Sequence, residues 1–367
     1  EGGGGEAGDF PGWFASRCLQ FPAFLRTANE EVTALLYRRQ YQNRVRENRG
    51  AVCRQYEALA DVLSTAAVEL SAELTPDPLR EKRLRQHLTA LGLEGETAVY
   101  YDELGHLRAE VAGDGLEVLR EAAELRRLSD LMGLPLRLAE EDTADRVTFL
   151  QAEPLMAVAG LAARRKEGQT ESGDTGTWFK RSDGSLFVLL CDGMGSGPEA
   201  SRESSTAIRL LERFLKAGVE AEAALRTLNS ALALRGEEEG GFTTVDLLQI
   251  DLFTGQSALY KFGAAPTYVR KGDTVSKLSG SALPAGLVDG DGVSPDVTRL
   301  DLEAGDTVVL VSDGVIGGRP DLWLRETVSA FGGESPKDLA RSLIDAQEAP
   351  GSDDRTALVV RLERRKL

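Results

Sequence analysis

Four acidic turns in the second half of the chain hold its most reactive-looking residues. Ser172-Gly173-Asp174 is the first. Asp192 follows the apolar run Leu186–Cys191 and opens Gly193-Met194-Gly195-Ser196-Gly197. Asp313 follows Val308–Ser312, and Asp353 and Asp354 precede the run Thr356–Leu362. A carboxylate at the end of a buried strand is held in place, and several strand ends can meet at one point. Grouped carboxylates repel each other, and a cation is the usual remedy. The chain has only 2 His and 3 Cys, so the donors are oxygens, which suit a hard ion, Mg2+ or Mn2+. Two such ions bridged by aspartates lower the pKa of a water held between them and neutralise a phosphoryl group under attack. Glycines beside Asp192 let the backbone come close to an ion and offer a carbonyl as ligand. Other Asp-Gly pairs, such as Asp183-Gly184, read as plain turns.

The elements that would position these turns can be read from the patterning. Leu186–Cys191, Thr243–Leu252, Gln256–Phe262, Thr267–Arg270, Thr274–Leu278, Thr307–Val311 and Thr356–Leu362 read as strands. Pro198–Lys216 carries Ala200, Ser204, Ala207, Ile208, Leu211 and Leu215 on one helical face, and Ala221–Leu234 reads as a second helix. Strands with grouped helices, rather than regular strand–helix alternation, indicate packed sheets with helices outside, an α+β class. Upstream, a helix over Leu79–Ala90, four short strands and a helix over Gly115–Met132 form a small α+β module. Earlier still, Val52, Tyr56, Leu59, Leu63, Ala66 and Leu70 recur at alternating spacings of four and three, a seam suited equally to self-association and to packing on the neighbouring module. The resulting division is a flexible segment over 1–23, a helical linker over 24–75, a small regulatory module over 76–152 and a catalytic domain over 153–367.

Composition narrows the function classes. A net charge of −16 opposes nucleic-acid binding. No apolar run is long enough to span a membrane. Cys18, Cys53 and Cys191 form no CxxC pair, which suits a reducing, cytoplasmic setting. The Arg-rich stretch between Arg38 and Arg54 reads as a solvated helix face, with an acidic partner or lipid headgroups as the alternative.

Taken in order, the turns resemble those of the metal-dependent PPM-type Ser/Thr protein phosphatases. The CDGMGSGPEAS segment (Cys191–Ser201) is the most specific match, with SGDTG (Ser172–Gly176), FTTVDLLQIDLFTGQ (Phe242–Gln256), KFGAAPTYVRKG (Lys261–Gly272) and LPAGL (Leu283–Leu287) alongside. Within that family they are similar to the bacterial branch that includes the stage II sporulation protein E family. The resemblance implies an α-β-β-α sandwich preceded by a long helix and a small α+β regulatory module, with two Mn2+ or Mg2+ ions between the sheets. It implies that Asp192 bridges both ions, that the Gly193 carbonyl completes one, that Asp313 and Asp353 bind the other, and that Asp174 binds directly or through water. Asp354 ranks below Asp353. The site lacks an obvious cation to grip a phosphate. The substrate implied is a phosphorylated anti-sigma-factor antagonist, whose dephosphorylation promotes sigma-factor release. A cell-division partner and a membrane anchor upstream of Glu1 are also implied. A stress-response phosphatase of the same branch and a catalytically silent scaffold are the alternatives, and intact aspartates at all four turns speak against the scaffold. The module is expected to act by biasing the two helices that follow Gly193.

Overall fold

The structure, a computed structural model, describes residues 26–27, 74–139, 143–233, 241–288, 293–317, 320–332, 335–346 and 353–365. The sheets described here belong to the second of two compact units, Ser71–Leu367. The seam of 52–70 and the segment 1–23 lie outside the described residues.

The phosphatase-like part is a sandwich of two five-stranded sheets. One holds, in spatial order, β13 (Asp296–Asp301), β10 (Gln256–Phe262), β9 (Thr243–Asp251), β8 (Ser185–Gly193) and β7 (Asp174–Lys180). The other holds β12 (Thr274–Leu278), β11 (Thr267–Lys271), β14 (Thr307–Val311), β15 (Arg355–Arg364) and β6 (Leu155–Arg164). All pairings are antiparallel. Alternation along β8 sorts its side chains: Leu186, Val188 and Leu190 meet Leu310, Leu358 and Val360 of the facing sheet. Phe187, Leu189 and Cys191 point the other way, onto α3 (Pro198–Lys216) and α4 (Ala221–Ala233). On the far side, Val309, Val311 and Val359 pack with Leu339 and Leu343 of α7 (Pro336–Asp345), next to the short α5 (Asp313–Ile316) and α6 (Leu322–Ala330). Burial on both faces explains why the central strands read as unbroken apolar runs, and the layers are the α-β-β-α order expected.

Helix α3 shows how sequence sets this packing. Gly197 turns the chain with φ 87°, Pro198 occupies the first turn, and the face Ala200, Ser204, Ala207, Ile208, Leu211, Leu215 is fully buried. Each of its large apolar side chains contributes about 1.5–3 kcal/mol through burial. Leu211→Ala would remove about 2–5 kcal/mol of stability.

The upstream sheet has the order β1-β2-β3-β5-β4: β1 (Thr75–Pro76), β2 (Gly95–Tyr101), β3 (Leu107–Gly113), β5 (Arg146–Gln151) and β4 (Leu136–Leu138). Leu84 and Leu88 of α1 (Pro78–Ala90) and Leu128 and Met132 of α2 (Ala122–Met132) pack with Val99, Val111 and Phe149. Three details differ from the expectation. The helix over 115–132 is broken: Leu116–Arg120 is a 3-10 turn that buries Leu116 and Leu119, and extended Glu121 separates it from α2. Thr75-Pro76, placed at the boundary between linker and module, pairs at the sheet edge with Tyr101 and Tyr100. The edge strand β13 was not expected; half its residues are exposed, and edge strands carry little apolar signal.

One carboxylate ties the three sheets together. Glu153 is fully buried and meets Arg137 of β4 at 2.8 Å, Lys180 of β7 at 3.1 Å and Arg365, just past β15, at 2.8 Å. Arg137 also donates to the Ser182 carbonyl at 3.2 Å. Nearby, the rings of His106 and Phe253 stack at 3.6 Å.

Candidate metal centre

Both sheets deliver aspartates to one end of the sandwich. Asp174 opens β7 and stands opposite Asp192 in the β7–β8 register. Asp313 starts α5 directly after β14, and Asp353 lies just before β15. Asp192, Asp246, Ser312, Asp313 and the turn Gly263–Ala265 line a small open pocket of about 30 Å³.

The electrostatics show charge without compensation. Burial pushes the Asp192 carboxyl up to about 9, and the charges of Asp174, Asp313 and Asp353 add to the shift. Burial likewise raises Asp174 to about 6; Ser312 and Thr356 pull it partly back, and Asp354 pushes it up. Neither carboxylate oxygen of Asp174 has a hydrogen-bond partner of good geometry, although the residue is only 8% exposed. Asp313 is raised by burial and by Asp353. An unpaired buried carboxylate is costly. Oxygen-only donors with two orphaned carboxylate oxygens fit a hard divalent ion. Among the described residues, however, no three His, Cys, Asp or Glu side chains converge as a finished coordination group. Asp192 and Asp313 line the pocket, and the charges of Asp174, Asp313 and Asp353 all act on Asp192.

Asp354 differs from its neighbour. Its two oxygens accept from the backbone N–H groups of Lys166 and Gly173, each at 2.7 Å. It is 3% exposed and anchors the loop before Asp174. Among the described residues, Asp353 accepts from the adjacent Asp354 N–H, at 3.0 Å.

The glycines after the aspartates answer to packing. A Cβ on Gly193 would stand 2.1 Å from the Ala200 carbonyl oxygen of α3, and one on Gly314 would stand 2.0 Å from the Asp354 carbonyl oxygen. Only hydrogen fits at either place. Gly193 is thereby seated against the first turn of α3, and its N–H donates to the Gly173 carbonyl at 3.2 Å.

Several residues were not singled out by type or spacing. Thr243 Oγ1 donates to the Asp192 carbonyl at 2.7 Å, and the Asp192 N–H donates to Thr244 Oγ1 at 3.2 Å. Asp246, on β9, is 1% exposed and pairs at 2.6 Å with Lys261 Nζ, itself 2% exposed. Burial raises the Asp246 carboxyl, and Lys261 and Thr267 oppose that. The cation missing from the sequence reading therefore exists, but it is committed to Asp246. Its signal was only a Lys and an Asp inside adjacent apolar strands.

The segment 182–363 matches the family profile of stage II sporulation protein E. Over that segment the chain is similar to the stage II sporulation protein E family of PPM-type phosphatases. The chain is similar to stage II sporulation protein E of Priestia megaterium, at 26% identity over 94% of this chain and 62% of the relative. It is also similar to that of Bacillus subtilis, at 27% identity over 88% of this chain and 41% of the relative. The chain thus spans between two-fifths and two-thirds of these relatives. A solved structure of the PP2C phosphatase domain and a fragment of the regulatory domain of the Bacillus subtilis SpoIIE aligns at TM-score 0.59 and 26% identity, covering 89% of this chain and 99% of that one. These matches identify a PPM-type phosphatase fold, in a family generally dependent on Mn2+ or Mg2+. No helix among the described residues is long and apolar enough to cross a membrane.

Proposed function

We propose that this chain is a Mn2+- or Mg2+-dependent protein serine phosphatase, a hydrolase whose 153–367 region is catalytic and whose 76–152 region is regulatory. The observation that carries the reading is the uncompensated acidic cluster, above all the buried, partnerless oxygens of Asp174 beside Asp192. In this reading Asp174, Asp192, Asp313, Asp353 and the Gly193 carbonyl hold two ions. When bound, such ions supply the Lewis acidity that phosphoryl transfer needs. The chain's own residues position and exclude. Thr243 and Thr244 fix the backbone of Asp192, and Ala200 seats Gly193. Asp354 is occupied by backbone donors, which favours Asp353 as the ligand. Lys261 is held by Asp246 rather than left for a phosphate, and substrate selection falls to contacts outside the site.

The substrate in this reading is a phosphorylated anti-sigma-factor antagonist, and the output is sigma-factor release. The names of the relatives, which place them in sporulation, support this choice. The same reading puts this region in the cytoplasm with the parent protein anchored upstream, allows assembly through the segment 24–75, and leaves room for a cell-division partner. The test is phosphate release from the phosphorylated antagonist by the intact chain and by Asp313→Ala, with Mn2+, Mg2+ or chelator. Metal-dependent release that the substitution abolishes is expected. Mn2+ binding without release would point to another phosphoprotein, and loss of both would overturn the reading.

A further inference from the structure

Asp246 and Lys261 face each other in the β9–β10 register. Asp246 Oδ2 accepts from Lys261 Nζ and from Thr267 Oγ1, both at 2.6 Å. Lys261 spends its two remaining protons on the Ala265 carbonyl at 2.7 Å and on Thr267 Oγ1 at 2.8 Å. Every donor of the ammonium is used. Asp246 Oδ1 is different: it is buried and has no partner, and its residue lines the pocket together with Asp192 and Asp313. The network also holds the Gly263–Ala265 turn, which lines the same pocket, through the Ala265 carbonyl.

Orphaned buried oxygens are rare and call for a partner. Among the described residues none supplies one, which leaves the pocket lined by Asp246 as its source. A pocket of about 30 Å³ with carboxylate and hydroxyl groups on its wall is large enough for water. Lys261 has a second effect. It cancels the charge of Asp246, so Asp246 offers an acceptor to the pocket without adding a further negative charge to an already crowded group.

We propose that Asp246 is a positioning residue of the metal centre, whose free oxygen accepts a hydrogen bond from water held in the pocket, with Lys261 and Thr267 fixing that oxygen in place. The inference rests on the metal-centre reading above. It extends that site to a buried, charge-neutral pair on β9 and β10 that orients water around the ions without binding them directly. Outer partners of this kind tune metal affinity by about 10- to 100-fold.

The test is calorimetric titration of the full chain with Mn2+, on proteins shown to be folded by near-ultraviolet circular dichroism. The decisive variant is the double substitution Asp246→Leu with Lys261→Met, which removes both charges and leaves no buried ion alone. Such apolar replacements of buried pairs are generally tolerated by the fold. The double variant is expected to bind Mn2+ about 10-fold or more weaker than the parent. If the double variant binds Mn2+ as tightly as the parent, the pair is structural only and the inference falls. If the parent itself shows no saturable Mn2+ binding, the metal-centre reading falls and takes this inference with it.

Discussion

Two groups of buried carboxylates in this chain are built in opposite ways. At the junction of the three sheets, Glu153 has three cations around it, and its carboxyl is held below the usual range: burial would raise it, but its own backbone N–H, Arg137 and Lys180 outweigh that. At the mouth of the sandwich, Asp174, Asp192 and Asp313 are all raised, with burial the largest cause in each. The same fold that surrounds one glutamate with three cations commits Lys261, the lysine at this end of the sandwich, to Asp246. A compensated carboxylate does structural work within the chain. An uncompensated group stays costly until something from outside neutralises it, which is how a binding site differs from a joint.

The sharpest way to test the contrast is to supply the missing charge. Mn2+ at about 1,000 times its Kd should raise the unfolding free energy by roughly 4 kcal/mol relative to chelator, read from urea unfolding. No comparable effect is expected from monovalent salt. Breaking the joint comes next. Glu153→Ala leaves three cations facing a cavity and should cost about 3 kcal/mol, the low end for a buried pair because its partners reach solvent. The loss should be the same with and without Mn2+.

The joint should also carry a pH signature. Because the folded carboxyl of Glu153 lies below its ordinary value of 4.5, its contribution is complete above that pH and disappears as pH falls through the lower folded value. Urea midpoints of parent and Glu153→Ala should therefore differ by a constant amount from pH 5 to 7 and converge below pH 4.5.

At the aspartates the sign reverses. Asp192→Asn should stabilise the metal-free chain by about 1 kcal/mol, the worth of a single pKa unit, while abolishing the Mn2+-dependent gain. Thermal unfolding in chelator and in Mn2+ reads both effects. The smallest effect calibrates the rest. The exposed pair Arg226–Glu222, at 2.7 Å on one face of α4, should contribute no more than about 0.5 kcal/mol, so Arg226→Ala should leave the urea midpoint almost unchanged.

Much of this was legible beforehand where local pattern and burial agree. Helix α3 was readable to both ends because its apolar spacing, Pro198 and Gly197 all say the same thing. The central strands were readable because both their faces are buried. The break at Glu121 was not, since Leu116 and Leu119 suit an α-helix and a 3-10 turn equally well. Strand β13 escaped because an edge strand exposed on alternate residues resembles a polar loop.

The sequence by itself determined the chemistry on offer: acidic turns at the ends of apolar strands, oxygen donors almost alone, and glycines after Asp192 and Asp313. Spacing along the chain carries that much because strand ends and turns are local. Only the tertiary structure decided which carboxylates stay uncompensated. Asp353 and Asp354 are adjacent in sequence, yet the Lys166 and Gly173 amides, nearly 200 residues upstream, occupy just one of them. Lys261 looked absent as a resource until the β9–β10 register set it against Asp246. Glu153 is an ordinary acidic residue until β4, β7 and the end of β15 bring three cations to it. Charge compensation is set by distance in space and by exclusion of water, and neither exists until the sheets pack.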